Sequence, residues 1–411
     1  MRLQWVGRSL ACAVLAIVSI AGAAEGCGKA CEGNWVATWG TAQQLAVPAR
    51  AIPSRDTYPQ SVSAQTVRMV ARTTTAGRAV RVALSNSFGN APVRIDAASL
   101  ARLASGSTLH AGSSRAMTFA GNSSVVLAPG AQIYSDPVVY QVPAQTDLVV
   151  SLYVAADSGP TTAHPLGLRT AWIAPGNQIA AEQLRDAALF RSYLWLAGID
   201  VLAVPKAATI VAFGDSITDG YSTTPDADTA WPSVLARRLG AQRSVINMGI
   251  SGNRVLKEGA GSSALARFDR DVLARPGVRW VLLLEGINDI GFSAIAGLPA
   301  SEKVTAGEII AGYRMLIGRA RLHGISIIGG TLTPFQGVAT YTEAGETMRQ
   351  SVNAWIRSSG EFDAVVDFDA ATRDPAAPTR LRAQFDSGDH IHPNDAGNLA
   401  MAEAIDLKLF Q

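Results

Sequence analysis

Cysteine is scarce in this chain, with 3 in 411 residues, and charge is thin, at 17% of the composition with 35 basic against 33 acidic side chains. So few thiols leave room for one small disulfide loop and no disulfide framework. The near-balanced charges are scattered rather than clustered, which argues against nucleic acid as a partner. His-Glu-x-x-His and paired Cys-x-x-Cys patterns are missing, so a zinc mechanism has no ligands to offer and no metal is expected. No Gly-x-Gly-x-x-Gly or phosphate-binding loop follows the apolar run near residue 210, which disfavours a nucleotide, and no cofactor is expected. Internal repeats and low-complexity tracts are also lacking.

Long apolar runs are missing too, apart from one at the start. Residues 1–24 open with Arg2 and Arg8, continue with an apolar stretch over 10–20, and end on Ala21-Gly22-Ala23-Ala24. This is the pattern of a secretory signal peptide, too short to span a membrane, so the expectation is export to the periplasm or beyond with no transmembrane segment after cleavage. Cys12 would leave with the signal. Cys27 and Cys31 remain, and a disulfide between them is expected, against the alternatives of free thiols or lipidation of Cys27.

What the chain has is apolar material, 48% of it, in a length that favours two domains. From residue 33 to 204 it reads as β. Val80, Val82 and Leu84 alternate with Arg81 and Ala83, and Leu148, Val150, Leu152 and Val154 alternate with Val149, Ser151 and Tyr153. Further strands are expected over 66–72, 92–95, 117–119, 124–127, 137–142 and 193–202, with turn clusters between them. Many short strands of this kind predict a β-sandwich, jelly-roll-like, as an accessory domain. It would serve either as a carbohydrate-binding module, with Trp35, Trp39, Trp172 and Trp195 as candidate stacking platforms, or as a structural cap on its neighbour.

From residue 205 to 411 the pattern changes to alternation. Strands are expected over 209–213, 244–248, 280–285, 326–329 and 364–368, and helices over 231–239, 264–274, 306–323, 343–358 and 394–410. Such alternation predicts an α/β domain with a parallel sheet covered on both faces, its ligand groups at the carboxyl ends of the strands.

At the end of the first of these strands stands Ile-Val-Ala-Phe-Gly-Asp-Ser-Ile-Thr-Asp-Gly, residues 210–220, which makes Ser216 a candidate nucleophile. A serine hydroxyl needs a base, a group to orient the base, and donors for the oxyanion. Asp389-His390-Ile391-His392-Pro393-Asn394 holds an Asp and a His three residues apart; Met248-Gly249-Ile250-Ser251-Gly252-Asn253 holds a glycine turn; Gly286-Ile287-Asn288-Asp289 holds a side-chain amide. In this order the four blocks resemble the SGNH (GDSL) hydrolase family, and the resemblance covers residues 207–411.

The resemblance implies a three-layer α/β/α, flavodoxin-like sheet of five parallel strands. It also implies a catalytic triad of Ser216, Asp389 and His392, with an oxyanion hole from the backbone N–H groups of Ser216 and Gly252 and the amide of Asn288. His390 is the rival base and Asp386 the rival orienter, while Asp215 and Asp289 are expected to hold loops by accepting backbone N–H bonds. No Gly-x-Ser-x-Gly surrounds Ser216, so the α/β-hydrolase elbow is not the template. The implied reaction is hydrolysis of oxygen esters with short to medium acyl groups, such as O-acetyl esters, on a small-molecule or polysaccharide substrate. Alternatives are a lipase or phospholipase for long chains, and a glycan-binding surface protein with little catalysis. Substrate walls are expected from residues 221–228, 254–263, 292–303 and 334–341.

Overall fold

The computed structural model describes residues 31–44, 58–295 and 297–411. The expected signal segment and Cys27 lie outside the described residues, whereas Cys31 is disulfide-bonded. No helix among the described residues is long and apolar enough to cross a membrane.

The alternating apolar strips of Gly77–Ser85 and Asp147–Val154 can leave water only by facing one another, and they do so from two antiparallel sheets. One sheet runs Trp35–Gly40, Leu196–Leu202, Gly77–Ser85, Val138–Val142; the other runs Ala188–Phe190, Ala171–Pro175, Gln65–Arg72, Asp147–Val154, Ala97–Ser105, Thr108–Leu109. Val67, Met69, Val80, Val82, Leu148, Val150 and Ile199 share the core between them. Val70 and Val149 point to the opposite side of the second sheet, where they meet Trp172 and Leu184 in a smaller cluster, so this sheet buries both faces. None of the four tryptophans is exposed: Trp195 and Trp172 are buried, Trp35 lies under the Arg81 guanidinium, and Trp39 stands edge-on to Tyr193.

In the C-terminal half we label the strands β1 (Ala208–Gly214), β2 (Arg243–Gly249), β3 (Val278–Leu284), β4 (Ser326–Gly330) and β5 (Ala364–Val366). They form one parallel sheet in the order 2-1-3-4-5, the flavodoxin-like arrangement. All seven residues of β1 are buried, as a central strand covered on both faces requires. The helices are α1 (Ser216–Asp219), α2 (Trp231–Leu239), α3 (Ala264–Phe268), α4 (Ile287–Ser293), α5 (Ala306–Leu322), α6 (Glu343–Ser358), α7 (Phe368–Thr372) and α8 (Asp395–Glu403). The sandwich docks on this sheet directly: Ala37 N donates to Pro276 O at 3.0 Å, and Ser244 Oγ, from β2, donates to Ala37 O.

Of the boundaries that differ from the sequence expectation, three have a clear local reason. The helix over 264–274 divides into α3 and a π turn, Asp269–Leu273, which puts Asp271 inside, beside Arg267, Arg270 and Arg275. The strand from 364 stops at Val366 because Asp367 caps α7, accepting from Ala370 N. The last helix ends at Glu403, and a separate short turn, Leu407–Phe410, starts where Asp406 accepts from Lys408 N.

Candidate active site

β1 delivers its last residue, Gly214, into a space with no room for a side chain: a Cβ there would lie 2.2 Å from Leu284 O and 2.3 Å from Thr218 Oγ1. The chain can therefore turn tightly into α1. Asp215 caps that helix by accepting from Ile217 N at 3.0 Å, and Ser216 is its first residue. Ser216 is buried, yet its Oγ lies 2.8 Å from His392 Nε2.

The other ring nitrogen of His392, Nδ1, lies 2.6 Å from Asp389 Oδ2, while Asp389 Oδ1 accepts from the backbone N–H groups of His392 at 2.9 Å and Ile391 at 3.1 Å. An ionised carboxylate only accepts, so Nδ1 carries the hydrogen and Nε2 is left with its lone pair toward the Ser216 hydroxyl. Partial burial opposes the charge of Asp389, but the hydrogen bond from His392 and the two backbone donors outweigh this and hold the carboxyl well below the usual carboxylate range. The rivals pair with each other. His390, at φ 70°, turns its Nδ1 to Asp386 Oδ2 at 2.6 Å, and Asp386 Oδ1 accepts from Gly388 N and His390 N. Tyr221 lies against the His392 ring, centroids 4.3 Å apart.

Gly252 takes the left-handed conformation, φ 79°, at the turn after β2. The Asn288 side-chain amide donates to Asn253 O at 3.0 Å, which ties the third block to the second and leaves its other N–H uncommitted. Among the described residues no protein acceptor takes the backbone N–H of Ser216 or of Gly252, so three donors at this rim remain unspent. Asp289 accepts from Val255 N at 2.7 Å and Leu256 N at 3.2 Å, and burial pushes its carboxyl up to about 6.

Beneath the rim lies a residue that the motif reading passed over. Arg267 is wholly buried; its Nε donates to Asn253 Oδ1 at 2.8 Å, Nη1 to Met248 O at 2.7 Å and Nη2 to Gly214 O at 2.8 Å. Its charge lies over the Phe213 ring at 4.0 Å and faces Asp271 and Glu285, each at 3.3 Å. One guanidinium thus joins the ends of β1 and β2 and the Gly252–Asn253 turn. The signal was present: Ala264, Arg267 and Phe268 stand at i, i+3 and i+4, on one helix face, and all are buried. Burial and neighbouring carboxylates raise Asp215 to about 7 and Glu285 well above its ordinary value. Among the described residues, no cluster of His, Cys, Asp or Glu is arranged to hold a metal ion.

Residues 212–400 match the GDSL-like Lipase/Acylhydrolase family. None of the curated proteins matches the chain. Solved structures to which it is similar include a GDSL-like lipase from Bacteroides thetaiotaomicron VPI-5482, at 20% identity over 49% of this chain and 87% of that one, TM-score 0.38. Others are the native aryl esterase of M. smegmatis, at 19% identity over 48% and 96%, TM-score 0.39, and a catalytic mutant of an acetylxylan esterase from Geobacillus stearothermophilus, at 26% identity over 48% and 91%, TM-score 0.37. Residues 212–400 therefore carry a GDSL-like lipase/acylhydrolase domain, that of a carboxylic ester hydrolase.

Proposed function

We propose that this protein is an exported serine esterase that passes the acyl group of an oxygen ester first to Ser216 and then to water. The observation that carries the reading is the unbroken chain from Ser216 Oγ through both nitrogens of His392 to Asp389. As Oγ attacks the ester carbonyl, His392 Nε2 takes its proton, and Asp389 stabilises the imidazolium through Nδ1. The oxyanion that forms is held by the N–H groups of Ser216 and Gly252 and the free N–H of Asn288. His392 returns the proton to the departing alcohol, leaving an acyl-serine. A water, deprotonated by His392, then attacks the acyl carbon and releases the carboxylic acid.

Acyl groups of short to medium length fit the rim best. A long acyl chain gains about 0.8 kcal/mol for each methylene buried and needs a continuous apolar channel to collect it. Of the exposed large apolar residues among those described, only Tyr221 and Ile295 fall in the segments expected as substrate walls. The sandwich serves as a structural cap, a role supported by its buried tryptophans and its direct bonds to β2 and the Pro276 turn.

The test is a series of p-nitrophenyl esters of increasing chain length together with acetylated polysaccharides, assayed on the purified protein. We expect the highest kcat/KM at two to about six acyl carbons, since each further methylene without apolar cover adds no binding energy. A maximum at long chains would replace this reading by that of a lipase.

A further inference from the structure

We infer that His164, on the N-terminal sandwich, is a positioning residue of the active site: as an imidazolium it clamps Asp219, and Asp219 sets the Ser251–Gly252 turn of the oxyanion hole. The inference rests on the esterase reading above.

His164 is buried in the short strand Ala163–His164. Its Nδ1 lies 2.8 Å from Ala42 O, and its Nε2 lies 3.0 Å from Leu166 O and 3.0 Å from Asp219 Oδ1. All three neighbours are acceptors. A neutral imidazole has a single N–H and would leave one nitrogen lone pair against oxygen, so both nitrogens carry hydrogen and the ring is charged. Asp219, the last residue of α1, meets this charge with one oxygen and accepts with the other from Ser251 N at 2.9 Å and Ser251 Oγ at 2.8 Å. Gly249 permits the approach, since a Cβ there would lie 2.3 Å from Asp219 N.

The short helix that starts with the nucleophile therefore ends on a carboxylate shared between the sandwich and the oxyanion turn. Ser251 N is the amide immediately before Gly252, so the direction of the Gly252 N–H follows from where Asp219 holds its neighbour. With His164 uncharged, Asp219 would be a buried anion short of a partner, and the turn would lose its fixed point.

The other titratable groups nearby are engaged elsewhere. Tyr193, in register with His164, donates its hydroxyl to Val70 O. Across a cavity between the sandwich and the α/β domain that His164 and Asp219 both line, Arg169 pairs with Asp228 at 2.6 Å and Asp147 at 2.9 Å, and Arg72 pairs with Asp228 at 3.2 Å. Asp219 is thus the charge that decides the state of the ring. Burial works against the imidazolium, but Asp219 and the two carbonyl oxygens outweigh it and raise the pKa of His164 above the ordinary histidine value. A raised pKa means that the charge persists to higher pH than on an ordinary histidine and is lost as pH rises through the folded value, so the alkaline limb of kcat should report His164.

The experiment uses the full-length protein and p-nitrophenyl acetate. His164→Asn should lower kcat about 10- to 100-fold, the cost of a misplaced catalytic group, with KM nearly unchanged and the alkaline limb abolished. Asp219→Asn should match that loss, and the double variant should lose no more than either single one, because both act through one link. Where His164→Asn does not fold, Asp219→Asn carries the kinetic test. Nitrogen-15 NMR of the wild-type imidazoles reads the charge independently of turnover: His164 should show two protonated ring nitrogens at pH 7. A neutral His164 at that pH overturns the inference, as does a His164→Asn enzyme with wild-type kcat and an unchanged alkaline limb. A wild-type protein that turns over no ester overturns the esterase reading and this inference with it, whereas an active wild type with an indifferent variant overturns this one alone.

Discussion

Ser216 Oγ and His392 Nε2 lie 2.8 Å apart although 176 positions separate the two residues along the chain. If this contact is the reacting pair, Ser216→Ala should reduce ester turnover by at least roughly 10,000-fold. The substitution removes one hydroxyl from a helix N-terminus that Asp215 already caps, so the unfolding midpoint should stay close to that of the wild type. Steady-state kinetics with p-nitrophenyl acetate, alongside thermal melts, measure both. Appreciable residual activity in this variant would place the nucleophile elsewhere.

Asn288 has two tasks for one amide: it braces Asn253 O and, by the proposed mechanism, offers its second N–H to the oxyanion. Asn288→Ala should therefore lower kcat about 100- to 1,000-fold, the usual cost of one lost oxyanion donor, with KM little affected. A loss confined to KM would show that Asn288 serves binding rather than the transition state.

His390 and Asp386 form a pair of the same residue types as the proposed dyad, in the same loop, but their bonds close on themselves. His390→Ala should leave kcat/KM within about threefold of wild type, since the residue touches no group of the reaction. A collapse of activity comparable to that of His392→Ala would reverse the assignment of the base.

Arg267 is held by three bonds to backbone or amide oxygens and by two buried carboxylates. Arg267→Met would leave Asp271 and Glu285 without this cation, and the expected loss is about 3–5 kcal/mol of folding stability, read from denaturant unfolding. A loss under about 1 kcal/mol would mean that the carboxyls take up protons at little cost once the arginine is gone.

Burial disfavours the charge of Asp215 and pushes its carboxyl up to about 7, above the usual carboxylate range. Folding therefore takes up a proton in this range, and the contribution of this group to stability falls as pH rises from about 4 to about 7. Asn caps a helix as well as Asp does and has no proton to lose. Asp215→Asn should flatten that part of the stability curve and be the more stable protein at pH 8. Equal slopes for variant and wild type would assign the proton uptake to another group, such as Glu285, whose buried carboxyl is also raised.

Alternating apolar residues and Gly-Asp-Ser at a strand end made much of this molecule legible before any coordinates were known. Period-two runs such as Val80-Arg81-Val82-Ala83-Leu84 mark strands because a pleat exposes alternate residues to opposite faces. A continuous apolar run such as Ala208–Gly214 marks a central parallel strand, because both faces are covered. The motifs at the strand ends follow from this, since parallel strands deliver their carboxyl ends to one edge, and so the sequence alone determined which residues could meet.

Only the tertiary structure decided which of them are held, and by what. His164 and Asp219 come from different halves of the chain, and no spacing relates them; they meet because the sandwich docks against β2. Arg267 resembles any helical arginine until the ends of β1 and β2 supply the carbonyl oxygens it binds. Local pattern reports on burial along one element, because it reflects the period of that element. The charge state of a buried group depends instead on which distant acceptors surround it, and that is a property of packing.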